Sequence, residues 1–479
     1  MVNEDEEAGS DSTHFYTEVK MYEKTHRAWY KDNFNLDGSD YTLDTTNAST
    51  SNVLDIPRRN HMKKGVVFLL CLVCLLPLFS GGKKEAVAAG TVELRFLGMA
   101  QASYSEQNVN DMTADFMRDH PNITVYTEFV PYEDLRNKTL LAYGSNNSYD
   151  AVLVDDIWYT EYDTKGMLRD ITAEVPQEYR DGVLQGGWNF VTKGGRVVGM
   201  PWFLDAMYLF YNKSMLAKAG YHAPPASIEE MVDMGRTLKA RGIVQYPFVF
   251  SLAQAEALIC VYANFLEAYG GSFQDDAGNY ILDTSGVKAL ELLVNLKNEG
   301  LLNPNSLEYL EEDVRRVFST ADAAFTLNWA YMDALASDPA ESILTADEVG
   351  IMVMPGVRGI KEHAAMSGSM GLSVLNKSKY PAEALEYILY LSSKPVQDKH
   401  SDLQLPVWTA SYDDPKIRAG HEDLADAAKL AFSIMNVRPS VPDYQEVSSV
   451  FQEYIQMALY GAKTPQQALS EAVQKVKGM

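Results

Sequence analysis

The sequence predicts an α/β fold arranged in two lobes that strands join, and three observations carry that reading. The chain has 479 residues, more than one ordinary domain holds and enough for two or three. Between residues 91 and 156, strand patterns alternate with helical ones, the order of a sheet covered by helices on both faces. No glycine- or proline-rich linker divides residues 89–479, so strands rather than a loose tether connect the parts. Apolar residues make up 46% and charged residues 22%, the range of globular proteins. That excludes wholesale disorder, a fibrous repeat and a polytopic membrane protein. With 65 acids against 41 bases the net charge is −24, which makes nucleic acid a poor partner and fits a neutral or cationic ligand.

The front of the chain differs from the rest. Residues 1–61 hold polar runs such as Thr45–Asn52 with no helical or strand period, and read as a disordered or non-native leader. Lys63 and Lys64 then precede a 14-residue apolar run, Val66–Phe79, too short for a membrane span and of the length of a signal-peptide core. Ala86-Val87-Ala88 follows as a small-x-small cleavage pattern. Residues 62–88 are therefore expected to be a signal peptide, Met62 the natural start and Ala89 the mature start of an exported protein. Cys71 and Cys74 lie within the apolar run, which argues against metal or redox chemistry and leaves Cys260 as the one mature thiol, unable to form an internal disulfide. A lipid anchor is doubtful, because Ser80-Gly81-Gly82 stands where a lipidated Cys would follow the signal core.

The mature elements follow in order. Val92, Leu94 and Phe96 alternate with polar residues as a strand does; Asn108–Arg118 reads as a helix that ends before His120-Pro121. Ile123, Val125 and Tyr126 begin a second strand, Tyr132–Tyr143 a second helix, and Ala151–Val154 is an apolar run suited to a buried parallel strand. Further on, Ser227-Ile228-Glu229-Glu230 fits a capping box, Val287 to Val294 form an apolar helical face stopped at Gly300, and Pro381 opens another helix. Thr464-Pro465-Gln466-Gln467 sets a cap, a first-turn proline and a glutamine at the third position.

Motifs for nucleotide, phosphate, zinc-protease and nucleophilic-serine chemistry are absent from the sequence, and the five mature histidines are not spaced as metal ligands. Asp155-Asp156 ends an apparent strand, where functional groups often sit. Neighbours on extended chain point to opposite sides, so the expectation is one carboxylate in a ligand site and the other capping the next helix. Three of the mature tryptophans stand at strand ends beside polar groups: Trp158 after Asp155 and Asp156, Trp202 before Asp205, and Trp329 after Asn328. Aromatic faces pack on the C–H patches of a sugar ring while carboxylates and amides bond its hydroxyls, the pairing that a polyol site needs. Trp188 and Trp408 read as core.

An ordered set of segments carries a family resemblance: Tyr149-Asp150-Ala151-Val152 with Asp155 and Trp158, Gly166–Ile171, Gly199-Met200-Pro201, Asp205, Leu209–Lys213, Ala323-Ala324-Phe325 with Trp329, Gly368–Val374, and Arg438-Pro439. Over about 91–477 the chain resembles a family-1 extracellular solute-binding protein of an ABC importer, the group of maltose- and trehalose-binding proteins. The resemblance implies a two-lobed periplasmic-binding-protein-like fold of type II, with hinge strands and a ligand cleft between the lobes. Lobe 1 would comprise 89–204 plus 367–434 and lobe 2 205–366 plus 435–479. It implies ligand contacts at Trp158, Asp205 and Trp329, with Gly368, Ser369 and Met370 lining the cleft and Arg438 and Tyr444 as looser matches. Asp155, Asp156 and Trp202 complete the candidate site. No catalytic residue, metal or cofactor is expected. The expected partners are a mono- to trisaccharide and the membrane permeases of the transporter, and the expected state is a monomer at the periplasmic or outer face of the cytoplasmic membrane. A secreted glycosidase using Asp155 or Asp156, the same fold binding a polyamine or peptide, and a chemosensory receptor stand as the other readings.

Overall fold

The computed structural model describes residues 91–100, 103–145, 147–275 and 277–479. The leader, the signal segment with Cys71 and Cys74, and the expected mature start at Ala89 lie outside the described residues. Among the described residues the strands are β1 (Val92–Met99), β2 (Ile123–Val130), β3 (Ala151–Asp155), β4 (Thr192–Lys193), β5 (Arg196–Val197), β6 (Met200–Phe203), β7 (Tyr208–Asn212), β8 (Phe248–Val249), β9 (Phe325–Asn328), β10 (Val349–Pro355), β11 (His363–Ala364) and β12 (Met370–Val374). They form two five-stranded sheets, ordered β2-β1-β3-β12-β6 and β11-β10-β7-β9-β8, and a small β4-β5 pair. Each sheet with its helices is one lobe of a two-lobed α/β fold.

In the first lobe β1 runs parallel to β2 from Val92 opposite Ile123 to Met99 opposite Val130, and parallel to β3; β12 returns antiparallel beside β3. Every residue of β3 is buried, as an apolar strand covered on both faces requires. Helix Glu106–Asp119 joins β1 to β2 and starts at a reciprocal cap: Ser105 Oγ accepts the Asn108 N–H at 3.1 Å, and Asn108 Oδ1 accepts the Ser105 N–H at 3.0 Å. Its buried Phe116 meets Tyr387 of helix Pro381–Leu391 at 5.1 Å, and Phe96 of β1 meets the same ring edge-on at 5.8 Å. Sheet and helices thus share one apolar layer.

In the second lobe β7 is central, antiparallel to β10 and β9. Helix Glu256–Ala268 is buried along its whole length and packs with helices Thr284–Asn298 and Tyr444–Leu459, so no side of it needs to be polar. The expected caps are present with one shift. Thr464 and Gln467 cap reciprocally, whereas the Glu230 carboxylate reaches the N–H of Ala226 rather than that of Ser227.

The chain crosses between the sheets after β6 and before β12, and the crossings pair with each other. Met207 N–H donates to the Met366 carbonyl at 3.1 Å, and Gly368 N–H to the Asp205 carbonyl at 3.1 Å. A third segment joins them: Ser367 N–H donates to the Asn436 carbonyl at 2.9 Å, and Asn436 N–H to the Ala365 carbonyl at 3.0 Å. One expected boundary is corrected here. Helix Glu422–Ile434, assigned from sequence to lobe 1 within 367–434, packs on β10 and β11, and its Leu424, Ala425, Ala428 and Ala431 share a core with Phe210 and Ile351. The chain passes between the cores earlier. Trp408 belongs to the first, with Tyr179 at 5.1 Å, and Tyr412 already to the second. Small alanines let the helix lie close on β10. An amphipathic pattern reveals that a helix face is covered, and it carries no information about which sheet covers it.

Candidate functional site

Where the crossings meet, one guanidinium gathers carboxylates from both lobes. Arg438 follows the third crossing segment and is 2% exposed. Its Nη2 donates to Asp155 Oδ1 at 3.2 Å and Asp156 Oδ1 at 3.1 Å, at the end of β3 in the first lobe. Its Nη1 donates to Glu256 Oε1 at 2.9 Å, at the start of the buried second-lobe helix. Further donors support each acid. Tyr132 Oη donates to Asp155 Oδ2 at 2.9 Å, Ser367 Oγ to Asp156 Oδ2 at 2.7 Å, and Tyr444 Oη and Ser448 Oγ each to Glu256 at 2.5 Å. Buried charges persist only when paired and hydrogen-bonded, and this network supplies both. Three acids around one base still leave an excess of negative charge. Burial pushes the Asp156 carboxyl up to about 7; Arg438 pulls it down and neighbouring Asp155 pushes it up.

The sequence rule that sent Asp155 and Asp156 to opposite sides fails here, because β3 ends at Asp155 and Asp156 lies in the following turn. Alternation holds only within extended chain. Both carboxylates turn to the same guanidinium.

The crossing residues lock together beside this network. Asp205 is 2% exposed, and its carboxylate accepts the N–H of Ala206 at 2.8 Å and of Ala330 at 3.2 Å. Burial pushes it up to about 8, with those N–H bonds opposing. Ser369 Oγ accepts the Asp205 N–H at 3.2 Å, and the Ser369 carbonyl accepts the Asp156 N–H at 3.0 Å. Met370 is buried in β12 between Asp155 and Phe203. Gly368 is where the return crossing meets an aromatic ring. A Cβ there would fall 2.3 Å from the six-membered ring of Trp329, so only glycine admits this approach.

The aromatic groups divide between the lobes. Trp158, buried after β3, stacks on Tyr132 at 5.3 Å between centroids, and its Nε1 has no hydrogen-bond partner among the described residues. Half-buried Trp329, after β9, donates from Nε1 to Glu311 Oε1 at 3.4 Å. Glu311 opens helix Glu311–Ser319, and burial pushes its carboxyl up to about 7. Trp202 sits apart from the Arg438 network. It is buried in the first core, its ring meets Tyr104 at 4.5 Å, and it lines a cavity with Met99, Tyr104 and Phe129.

Thus the structure brings Asp155, Asp156, Arg438 and Tyr444 into one network and places Asp205, Gly368, Ser369 and Trp329 in adjoining contacts. Tyr132, Glu256, Glu311 and Ser367 were missed from sequence. Each stands at a helix start or on a crossing, and of the four only Ser367 adjoins a segment singled out from the sequence, Gly368–Val374. The one available signal was that Tyr132, Glu256 and Glu311 each open a helical pattern. Among the described residues no group of three or more His, Cys, Asp and Glu is placed to hold a metal ion, and no helix is long and apolar enough to cross a membrane.

Two lobes joined by paired crossings, with acids and aromatic rings from both sides meeting at the junction, define the class of two-lobed binding proteins. The chain belongs to the family of bacterial extracellular solute-binding proteins, whose family model matches residues 101–398, and it is a solute-binding protein of ABC transporters. A probable ABC transporter-binding protein of Deinococcus radiodurans is 28% identical over 355 residues, 69% of this chain and 78% of that one. A galactooligosaccharide-binding protein of Bacillus subtilis is 23% identical, covering 87% of this chain and 97% of that one. The structure of a maltose-bound binding protein of T. maritima superposes with a TM-score of 0.75 at 27% identity, covering 81% of this chain and 99% of that one. These relatives are binding proteins, and the family is extracellular.

Proposed function

We propose that this chain captures a carbohydrate, a mono- to trisaccharide, between its lobes and delivers it to the membrane permeases of an ABC importer. The observation that carries the reading is the pairing of Trp329 with Glu311. A half-buried indole lies against the Gly368 crossing and is tied to a carboxylate, which is an aromatic platform with a hydroxyl acceptor at its edge. Trp158 with Asp155 and Asp156 supplies a like combination from the other lobe. That two relatives are named for maltose and galactooligosaccharide supports a sugar here. Ligand held by both lobes would draw them together about the paired crossings, with the lobes divided near residues 204, 366 and 408–412. Residues 62–88 direct export in this reading, and the receptor acts as a monomer. Asp155 and Asp156 are engaged by Arg438, which favours binding over glycoside hydrolysis.

Thermal shift of the purified protein against mono-, di- and trisaccharides, polyamines, amino acids and short peptides tests the assignment, since a ligand that binds only the folded state raises the melting point. A shift with one sugar class is expected. A shift with polyamines or peptides alone would end the sugar reading.

A further inference from the structure

We propose, resting on the carbohydrate reading above, that the cavity beside Trp202 is a second ligand subsite and that it seats the methyl group of a 6-deoxyhexose unit: the substrate class is a deoxysugar, or an oligosaccharide that carries one. β1, β2 and β3 run parallel, and β6, like β3, runs antiparallel to β12. All four strands therefore end on one edge of the first sheet, at Met99, Val130, Asp155 and Phe203. Open α/β sheets bind their ligands outside that carboxyl edge. The cavity lies there, lined by Met99, Phe129, Leu153, Trp202 and Phe203 from the strand ends, by Tyr104 from the loop before helix Glu106–Asp119, and by Val109 of that helix. It adjoins the crossing site on two counts. Leu153 and Asp155 are two residues apart on β3 and so share one face of the sheet. Phe203 pairs with Met370, and Met370 with Asp155, so a single strand separates this wall of the cavity from the Asp155 position.

The second observation is a polar atom in the cavity wall. Tyr104 is 3% exposed, its ring meets that of Trp202 at 4.5 Å, and among the described residues its Oη has no hydrogen-bond partner. A buried hydroxyl without a partner is costly. The rest of the wall is largely aromatic and aliphatic, whereas a buried water takes two to four polar partners. The free space holds about one water-sized group, which suits a methyl and is too small for a sugar ring. The C6 methyl of a 6-deoxyhexose fills that space, and the neighbouring O4 or ring oxygen supplies the partner that Tyr104 lacks. The parent hexose puts a hydroxyl into the same apolar space. Apolar pockets discriminate against such an added hydroxyl by about ten- to a hundredfold.

The test is titration calorimetry of the purified protein with D-fucose, D-quinovose and L-rhamnose against D-galactose, D-glucose and L-mannose, the same sugars with the C6 hydroxyl restored, and with 2′-fucosyllactose against lactose. A deoxysugar should bind about tenfold or more tighter than its parent. Val109→Ile brings one methyl from the protein into the cavity and should move that ratio towards one. Tyr104→Phe should weaken the deoxysugar several-fold without lowering the ligand-free melting point, a readout that a purely structural Tyr104 would move. Ligand-free melting points also show that both variants fold. Parent sugars binding as tightly as deoxysugars, a ratio that survives in folded Val109→Ile, or unchanged deoxysugar affinity in Tyr104→Phe overturns the subsite and leaves the carbohydrate reading standing. Folded protein that responds to none of these sugars overturns the subsite as well, and the thermal-shift panel, with its other di- and trisaccharides, then decides the carbohydrate reading separately.

Discussion

Arg438 determines how the buried acids coexist. It meets Asp155, Asp156 and Glu256, and among the described residues no other base lies within ion-pair distance of them. Replacing it with methionine leaves three buried carboxylates without their counter-ion, a change that costs about 3–5 kcal/mol when one partner of a buried pair is removed. Arg438→Met should lower the urea midpoint accordingly, and an unchanged midpoint would show that the acids are solvated by other means. Asp156 and Asp205 also set a pH dependence. Both carboxyls are raised in the folded state, to about 7 and about 8. The folded chain then keeps protons that the unfolded chain releases near pH 4. The stability that these two groups contribute should be greatest below that pH and be lost as pH rises through the folded values, by up to roughly 1.4 kcal/mol per pH unit for each group. Between pH 5 and 8 the midpoint should therefore drop. In Asp205→Asn, which stays neutral, the drop should be smaller, and denaturant titrations at both pH values measure it.

At the scale of elements, the return crossing and the segment after β9 act as one unit, because Trp329 lies against Gly368. The Cβ of Gly368→Ala would meet the indole at 2.3 Å and has to displace it. Forcing bulk into such a contact costs about 1–3 kcal/mol, and here it also tilts the platform on which the proposed ligand stacks. Gly368→Ala should thus lose ligand affinity while keeping its circular dichroism spectrum; affinity equal to that of the parent protein would detach Trp329 from the site. Helix Glu422–Ile434 shows the limit of pattern reading at this scale. Its residues were placed in lobe 1 by the family resemblance alone, and its partner sheet was not legible, because the core it joins is assembled from Phe210 and Ile351, more than seventy residues away. The strands and helices of 91–155 were legible for the opposite reason: their signals are local, an alternation in β1, a cap on helix Glu106–Asp119 and a short apolar run in β3.

For the whole molecule, the two-lobed arrangement was legible from strand–helix order, absent linkers and an ordered set of family-like segments. The site was legible in part. Trp329, Asp205 and Gly368 stand at strand ends or on crossings, where topology gathers them, and Asp155, Asp156 and Arg438 were named without their network being visible. Glu256, Glu311, Tyr132 and Ser367 come from helix starts and a crossing up to 211 residues from the groups they meet, and no local period encodes such meetings. Trp202 followed the same strand-end logic and stands in the first core instead, since a tryptophan after a strand satisfies core packing equally well. The central claim is that a carbohydrate binds between the lobes against Trp329. Titration calorimetry of the parent protein and Trp329→Ala with the sugar class that shifts the melting point tests it most directly. Saturable binding by the parent protein, weakened in Trp329→Ala by at least the 2 kcal/mol or so of an anchor truncation, is the predicted result. Equal affinity in the two proteins, or a flat titration of well-folded parent protein across the sugars, would contradict it.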